Sequence, residues 1–157
     1  MNLEPGQPAP DFSLRDTDGN GVALSDFRGS KNVLLVFVPF ALTRTCTAEF
    51  CQLRDENADL VNDPDVEVIG ISCDPAWVLR EWKRKETYIN TFVSDFWPHG
   101  EVSKGYGAFD ELVGAPMRCT FLVDKEGILR FVEYNTLDNV VEARDQGRWR
   151  DALAALG

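Results

Sequence analysis

Residues 33–38 (VLLVFV) form an unbroken apolar run, and 66–72 (VEVIGIS) a nearly unbroken one. Runs of this length and β-branched content predict strands buried on both faces of a sheet. Between them, from about residue 44, Phe50, Leu53, Asn57 and Leu60/Val61 recur near helical spacing. A buried strand, a helix and a second buried strand predict a parallel β-α-β unit with a right-handed crossover. Residues 11–14 and 22–24 flank the turn cluster Asp18, Gly19, Asn20, Gly21 and predict a β-hairpin. Further along, 76–87 reads as a helix, 91–94 as a short strand and 101–107 as a short helix. Residues 119–124 and 128–134 read as strands joined through Lys125, Glu126 and Gly127, and 147–156 as a closing helix.

This order predicts an α/β protein: a mixed central sheet with helices on both faces and an N-terminal β-hairpin, as in the thioredoxin-like fold. The 157 residues fit a single domain, 1–157, and a hydrophobic fraction of 44% supplies its core. With 26 acidic and 16 basic residues the formal charge is −10, which argues against nucleic acid and anionic membranes as partners. The longest apolar run, Val33–Leu42, is interrupted by Pro39 and is about half of what a membrane helix needs. The N-terminus MNLEPGQPAP has neither a basic nor an apolar leader region, so a cytoplasmic location is expected. In that compartment clustered cysteines such as Cys46, Cys51, Cys73 and Cys119 are more often catalytic or metal-binding than structural, and a single close pair of unusual spacing argues against a four-cysteine zinc site.

Chemistry is expected beyond the carboxyl end of the strand at 33–38. Pro39 ends that strand. If Thr43 is the helix N-cap, Cys46 lies at the third helical position, facing free amides and the positive end of the helix dipole. Both favour the thiolate, the nucleophilic form. Pro39, Thr43 and Cys46 together match the P-x-x-x-T-x-x-C motif of the peroxiredoxins, and Arg118 stands just before the strand CTFLVD where that family carries its active-site arginine. PGQPAPDFSLRDTDG and SDFWPHGEVSKGYGAF are also similar to it. The resemblance covers nearly the whole chain and is closest to the alkyl hydroperoxide reductase E type.

The resemblance implies a thiol-dependent peroxidase reducing hydrogen peroxide and organic hydroperoxides, without cofactor or metal. Cys46 would be the peroxidatic cysteine, oxidised to sulfenic acid; Arg118 would stabilise developing charge, Thr43 orient the peroxide and Pro39 shape the pocket. Each also has a plainer reading: a buried thiol, an ion-pair partner, a helix cap, a strand terminator. Cys51 gives C-x4-C, a spacing similar to peroxiredoxin Q (the bacterioferritin comigratory group), in which the second cysteine resolves the sulfenic acid as a disulfide. On an intact helix residues five apart have Cα atoms about 9 Å apart, beyond the roughly 7 Å a disulfide spans. A resolving Cys51 therefore requires the first turns to unwind, and simple packing is the competing reading. The relatives imply thioredoxin, a mycoredoxin or glutaredoxin-like protein, or a low-molecular-weight thiol as reductant, and a homodimer. A thioredoxin-type thiol–disulfide oxidoreductase is the alternative, although Thr43 occupies the place of its first cysteine. Cys73, Cys119 and His99 are read as structural. Glu49, one turn after Cys46, is either a solvated helix charge or a partner of backbone or of an arginine near the pocket.

Overall fold

The computed structural model describes residues 2–137 and 144–156. Its strands are β1 (Ser13–Asp16), β2 (Gly21–Ala23), β3 (Asn32–Phe37), β4 (Val66–Ser72), β5 (Thr91–Ser94), β6 (Phe109–Asp110), β7 (Ala115–Pro116), β8 (Thr120–Val123) and β9 (Leu129–Glu133). Its helices are α1 (Arg44–Glu56), α2 (Ala58–Asn62), α3 (Ala76–Glu86), α4 (Glu101–Gly105) and α5 (Gln146–Ala154). Seven strands form one sheet in the order β2-β1-β5-β4-β3-β8-β9. The two apolar runs are its neighbouring central strands, parallel from Asn32↔Val66 to Phe37↔Ile71, with α1 and α2 in the crossover between them. β8 runs antiparallel to β3, and β9 to β8; the N-terminal hairpin β1–β2 attaches antiparallel to β5.

Alternation along the strands divides the interior in two. Leu34, Val36, Val68, Phe92 and Leu122 face Phe50 and Leu53 of α1, Leu60 of α2, Leu79 and Trp82 of α3 and Trp149 of α5. On the opposite face Leu35, Phe37, Ile69, Ile71 and Phe121 pack under Phe12, Leu24, Tyr106 and Ala108, carried by the N-terminal segment and the chain around α4. Gly70 of β4 allows the closest approach: a Cβ there would come within 2.5 Å of the Phe92 ring. No helix of the described residues is long and apolar enough to cross a membrane.

Two local features depart from the sequence reading. The helical pattern from 44 to 61 breaks at Asn57, whose side chain bonds Gln146 Oε1 (2.8 Å) and Arg150 Nη2 (2.6 Å) across to the C-terminal helix. Hydrophobic spacing carries no trace of that tertiary anchor. The ribbon β6–β7 has no signature in the sequence, because two-residue strands are too short to show a period.

Candidate active site

β3 delivers its chain to the carboxyl edge of the sheet, and residues 38–43 turn it into α1. Pro39 is buried there, and the Ala41 amide donates to Asp74 Oδ2 at 2.8 Å, tying the loop to the end of β4. Leu42 takes a left-handed φ of 67°. Thr43 is the N-cap, as the sequence predicts, but it does not cap with its side chain: the hydroxyl donates to the Phe40 carbonyl at 2.8 Å. Thr43 thus fixes the turn before the helix while remaining exposed at its mouth.

Cys46 lies in the first turn of α1, as expected, and is fully buried. Arg118, brought in by the segment between β7 and β8, places Nη1 3.7 Å from Cys46 Sγ. The two residues, 72 apart in sequence, are joined only by the fold. Arg118 is itself buried, and among the described residues its Nε has no acceptor.

Glu49 is buried at 2% exposure, which excludes the solvated-charge reading. Its Oε1 accepts from Arg118 Nη1 and from Arg144 Nη2, both at 2.8 Å, and its Oε2 accepts from Arg144 Nε at 2.7 Å. Burial alone would raise this carboxyl, but the hydrogen bond and charge of Arg144, with the charge of Arg118, outweigh it and hold the group below its ordinary value. Arg144 also spans the ends of two strands: Nη1 donates to the carbonyls of Phe37 (2.7 Å) and Cys119 (3.0 Å). Gln146 Nε2 donates to the Glu49 carbonyl at 2.8 Å, so the start of α5 clamps α1 at the same point.

Arg144 and Gln146 are the site residues that sequence reasoning missed. Nothing in the local sequence distinguishes Arg144 from the other basic residues. Among the described residues, two guanidiniums and one carboxylate leave the buried cluster with one net positive charge, next to a sulfur.

Cys51 faces away from this cluster. Helix α1 is continuous from Arg44 to Glu56, and Cys51 Sγ meets Glu86 and Tyr88 rather than Cys46. All four cysteines are free. Cys73, after β4, and Cys119 are buried, Cys119 on the opposite side of the sheet from Cys46. His99 is exposed; Nε2 bonds the Gly114 carbonyl at 2.7 Å and the ring lies edge-on to Phe109.

A first-turn cysteine under an arginine, at the carboxyl edge of a thioredoxin-like sheet, defines a class: thiol-dependent peroxidases of the peroxiredoxin type. Residues 5–132 match the AhpC/TSA family, and the chain belongs to it. It is 46% identical over 154 residues to alkyl hydroperoxide reductase E of Mycobacterium tuberculosis, covering 98% of each chain. It is 38% identical over 136 residues to peroxiredoxin Bcp of Escherichia coli, covering 83% of this chain and 85% of the other. Among solved structures, the reduced 2-Cys peroxiredoxin of Plasmodium vivax superposes with a TM-score of 0.81 at 27% identity, covering 98% of this chain and 97% of that one. The protein is thus an enzyme, a thiol-dependent peroxidase that acts on hydroperoxides with a thiol as reductant.

Proposed function

We propose that Cys46 is the peroxidatic nucleophile and that the substrates are hydrogen peroxide and organic hydroperoxides. The observation that carries this reading is the 3.7 Å approach of Arg118 Nη1 to Cys46 Sγ inside a buried cluster of net positive charge. A sulfur anion brings that cluster to neutrality, and the dry surroundings strengthen the attraction. The thiolate attacks the terminal peroxide oxygen. A sulfur–oxygen bond forms, the oxygen–oxygen bond breaks, and two electrons pass from sulfur to the peroxide. The leaving oxygen takes a proton and departs as water or an alcohol. Arg118, with Nη1 beside the sulfur, stabilises the oxygen on which charge develops. Thr43, at the loop mouth, orients the incoming oxygen with its hydroxyl, and Pro39 forms the wall that keeps bulk water from the sulfur. Exposed Phe40 and Leu42 beside the loop suit an organic substituent.

Cys51 resolves the sulfenic acid once the first turns of α1 unwind, and the resulting disulfide is reduced by thioredoxin, a mycoredoxin or glutaredoxin-like protein, or a low-molecular-weight thiol. Turnover measured with each donor in turn distinguishes these. Four free thiols fit the reducing cytoplasm, and cell fractionation tests that location. Trp77, Phe96 and Trp97 line one cavity of about 780 Å³, a face suited to a homodimer of this one-domain chain; sedimentation of a Trp97→Asp variant as a dimer equal to the parent contradicts that use of the face.

The decisive experiment is intact-mass and peptide mapping after one equivalent of peroxide. Cys46→Ser is expected to consume no peroxide, and Cys51→Ser to accumulate sulfenic acid at Cys46. Oxidation landing first on any other cysteine refutes the assignment.

A further inference from the structure

A second group of reactive side chains meets on the flank of α1 away from the arginines. Cys51 Sγ lies 3.7 Å from Glu86 Oε2 and 3.5 Å from the Tyr88 hydroxyl. Arg54, nearly one turn further along α1, places Nη1 3.8 Å from the same Glu86 oxygen and also donates to the Glu86 carbonyl. The end of α3 explains the convergence. The helix stops at Glu86, Thr87 takes a left-handed φ of 55°, and the Tyr88 amide folds back onto the Lys83 carbonyl at 3.1 Å. That turn sets Tyr88 into the aromatic cluster, 3% exposed and edge-on to Trp82. Packing fixes the ring, and with it the position of the hydroxyl.

A phenol has one hydrogen to donate. In the intact helix it goes to the carbonyl of Thr47, at 3.1 Å. Burial pushes the phenol far above its ordinary range, so it keeps that hydrogen. With the hydrogen committed to Thr47, the tyrosine oxygen can face Cys51 only as an acceptor. The thiol is then the donor, toward Tyr88 or Glu86, and a thiol holding its proton is a poor nucleophile.

Thr47 is the residue directly after Cys46. Its hydroxyl is held as well, by Trp82 Nε1 at 3.0 Å. Unwinding of the first turns carries this residue, and its carbonyl, away from Tyr88.

We propose that Tyr88 couples the two events: its O–H, released by Thr47 on unwinding, turns to Cys51 Sγ while Glu86 takes the thiol proton. This rests on the reading of Cys51 as the resolving cysteine. The Cys51 thiolate attacks Cys46 Sγ of the sulfenic acid. The sulfur–sulfur bond forms, the sulfur–oxygen bond breaks, and one electron equivalent passes from the Cys51 sulfur to the Cys46 sulfur. The departing hydroxide takes up one proton, balancing the one Glu86 received, and leaves as water. Tyr88 is thereby a positioning residue, and Glu86 the base. Cys51 is armed only after Cys46 has been oxidised and its turn has opened.

The test compares the wild type, Tyr88→Phe and Glu86→Gln by stopped-flow fluorescence after mixing reduced protein with hydrogen peroxide. Intact mass of quenched samples identifies the 46–51 disulfide. Relative to the oxidation phase of the same sample, disulfide formation is expected to slow about tenfold in both variants. The pH midpoint of that step is expected to rise by about one unit in Tyr88→Phe, where the thiolate loses its O–H donor; Glu86→Gln also removes a negative charge beside the sulfur and is read by its rate. An unmoved midpoint in Tyr88→Phe overturns the proposal, as does an unslowed disulfide step in Glu86→Gln. So does a faster disulfide step in Tyr88→Phe at an unchanged midpoint, which reduces the hydroxyl to a brace on the helix. If Tyr88→Phe does not fold, the half-buried Glu86→Gln decides by its disulfide rate relative to the oxidation phase. A wild type that stops at sulfenic acid overturns the resolving role of Cys51 and this proposal with it. A wild-type disulfide with unmoved variants overturns only the coupling.

Discussion

Glu49→Gln removes the carboxylate that lies between Arg118 and Arg144 while keeping its shape. The two carboxylate oxygens accept three bonds of 2.7–2.8 Å from two guanidiniums. A glutamine retains one acceptor oxygen and turns an N–H donor toward the remaining guanidinium hydrogens. Both arginines are buried, with side-chain exposures of 7% and 0%, so their charges stay in the interior without compensation. Breaking such a pair costs about 3–5 kcal/mol. In a chain of this length that is a fall in melting temperature of about 6–20 °C. Arg118 also loses its anchor beside Cys46, so oxidation by peroxide is expected to slow about tenfold or more. Thermal melts of the reduced protein and stopped-flow oxidation read the two effects. The Glu49 carboxyl is held below its ordinary value of 4.5, so its ionised form stabilises the fold fully above that pH. The contribution fades as pH falls below about 4.5 and vanishes beneath the lowered folded value. The gap between wild type and variant must therefore narrow in acid. A gap under about 0.5 kcal/mol at neutral pH, or one that persists undiminished at the acid end, refutes the reasoning.

Two further outcomes follow from packing and burial. Burial and the Asp95 carboxylate push the Cys73 thiol up to about 12, and burial pushes Cys119 up to about 11. At about pH 8 both stay protonated, so iodoacetamide followed by peptide mapping is expected to leave them unlabelled until the protein unfolds; labelling of either at the rate of a free thiol contradicts this. Gly70→Ala would place a methyl 2.5 Å from the Phe92 ring and 3.1 Å from Phe50. It is expected to cost about 1–3 kcal/mol in urea melts, and a neutral result means that the aromatic cluster is looser than it looks.

Much of the architecture was legible because burial writes itself into the chain. Residues 66–72 read as a strand and form β4 (Val66–Ser72); 91–94 form β5. Both central strands are apolar on each side because helices cover one face of the sheet and the segment around α4 the other. The cysteine at the third position of α1 was legible too, since Pro39 and Thr43 fix by local geometry where the helix begins.

The long-range parts were not legible. The sequence marks Arg118 by its place before a strand, yet it says nothing of Arg144 or of a glutamate shared between them. Glu49 occupies one position of a helix whose charged residues look alike; only the meeting of α1 with the segments ahead of β8 and α5 makes it a buried counter-ion. Thr43 was expected to cap the helix, and the turn at Phe40 claimed its hydroxyl instead. Cys51 carries a spacing in the sequence but acquires neighbours only where Thr87 bends the end of α3 back onto α1. The division has a physical cause. Strand, helix and nucleophile depend on residues a few positions apart, whose periodicity the chain itself displays. The field around the sulfur depends on charges some 70 to 100 residues away, and no pattern along the chain encodes which of them will meet.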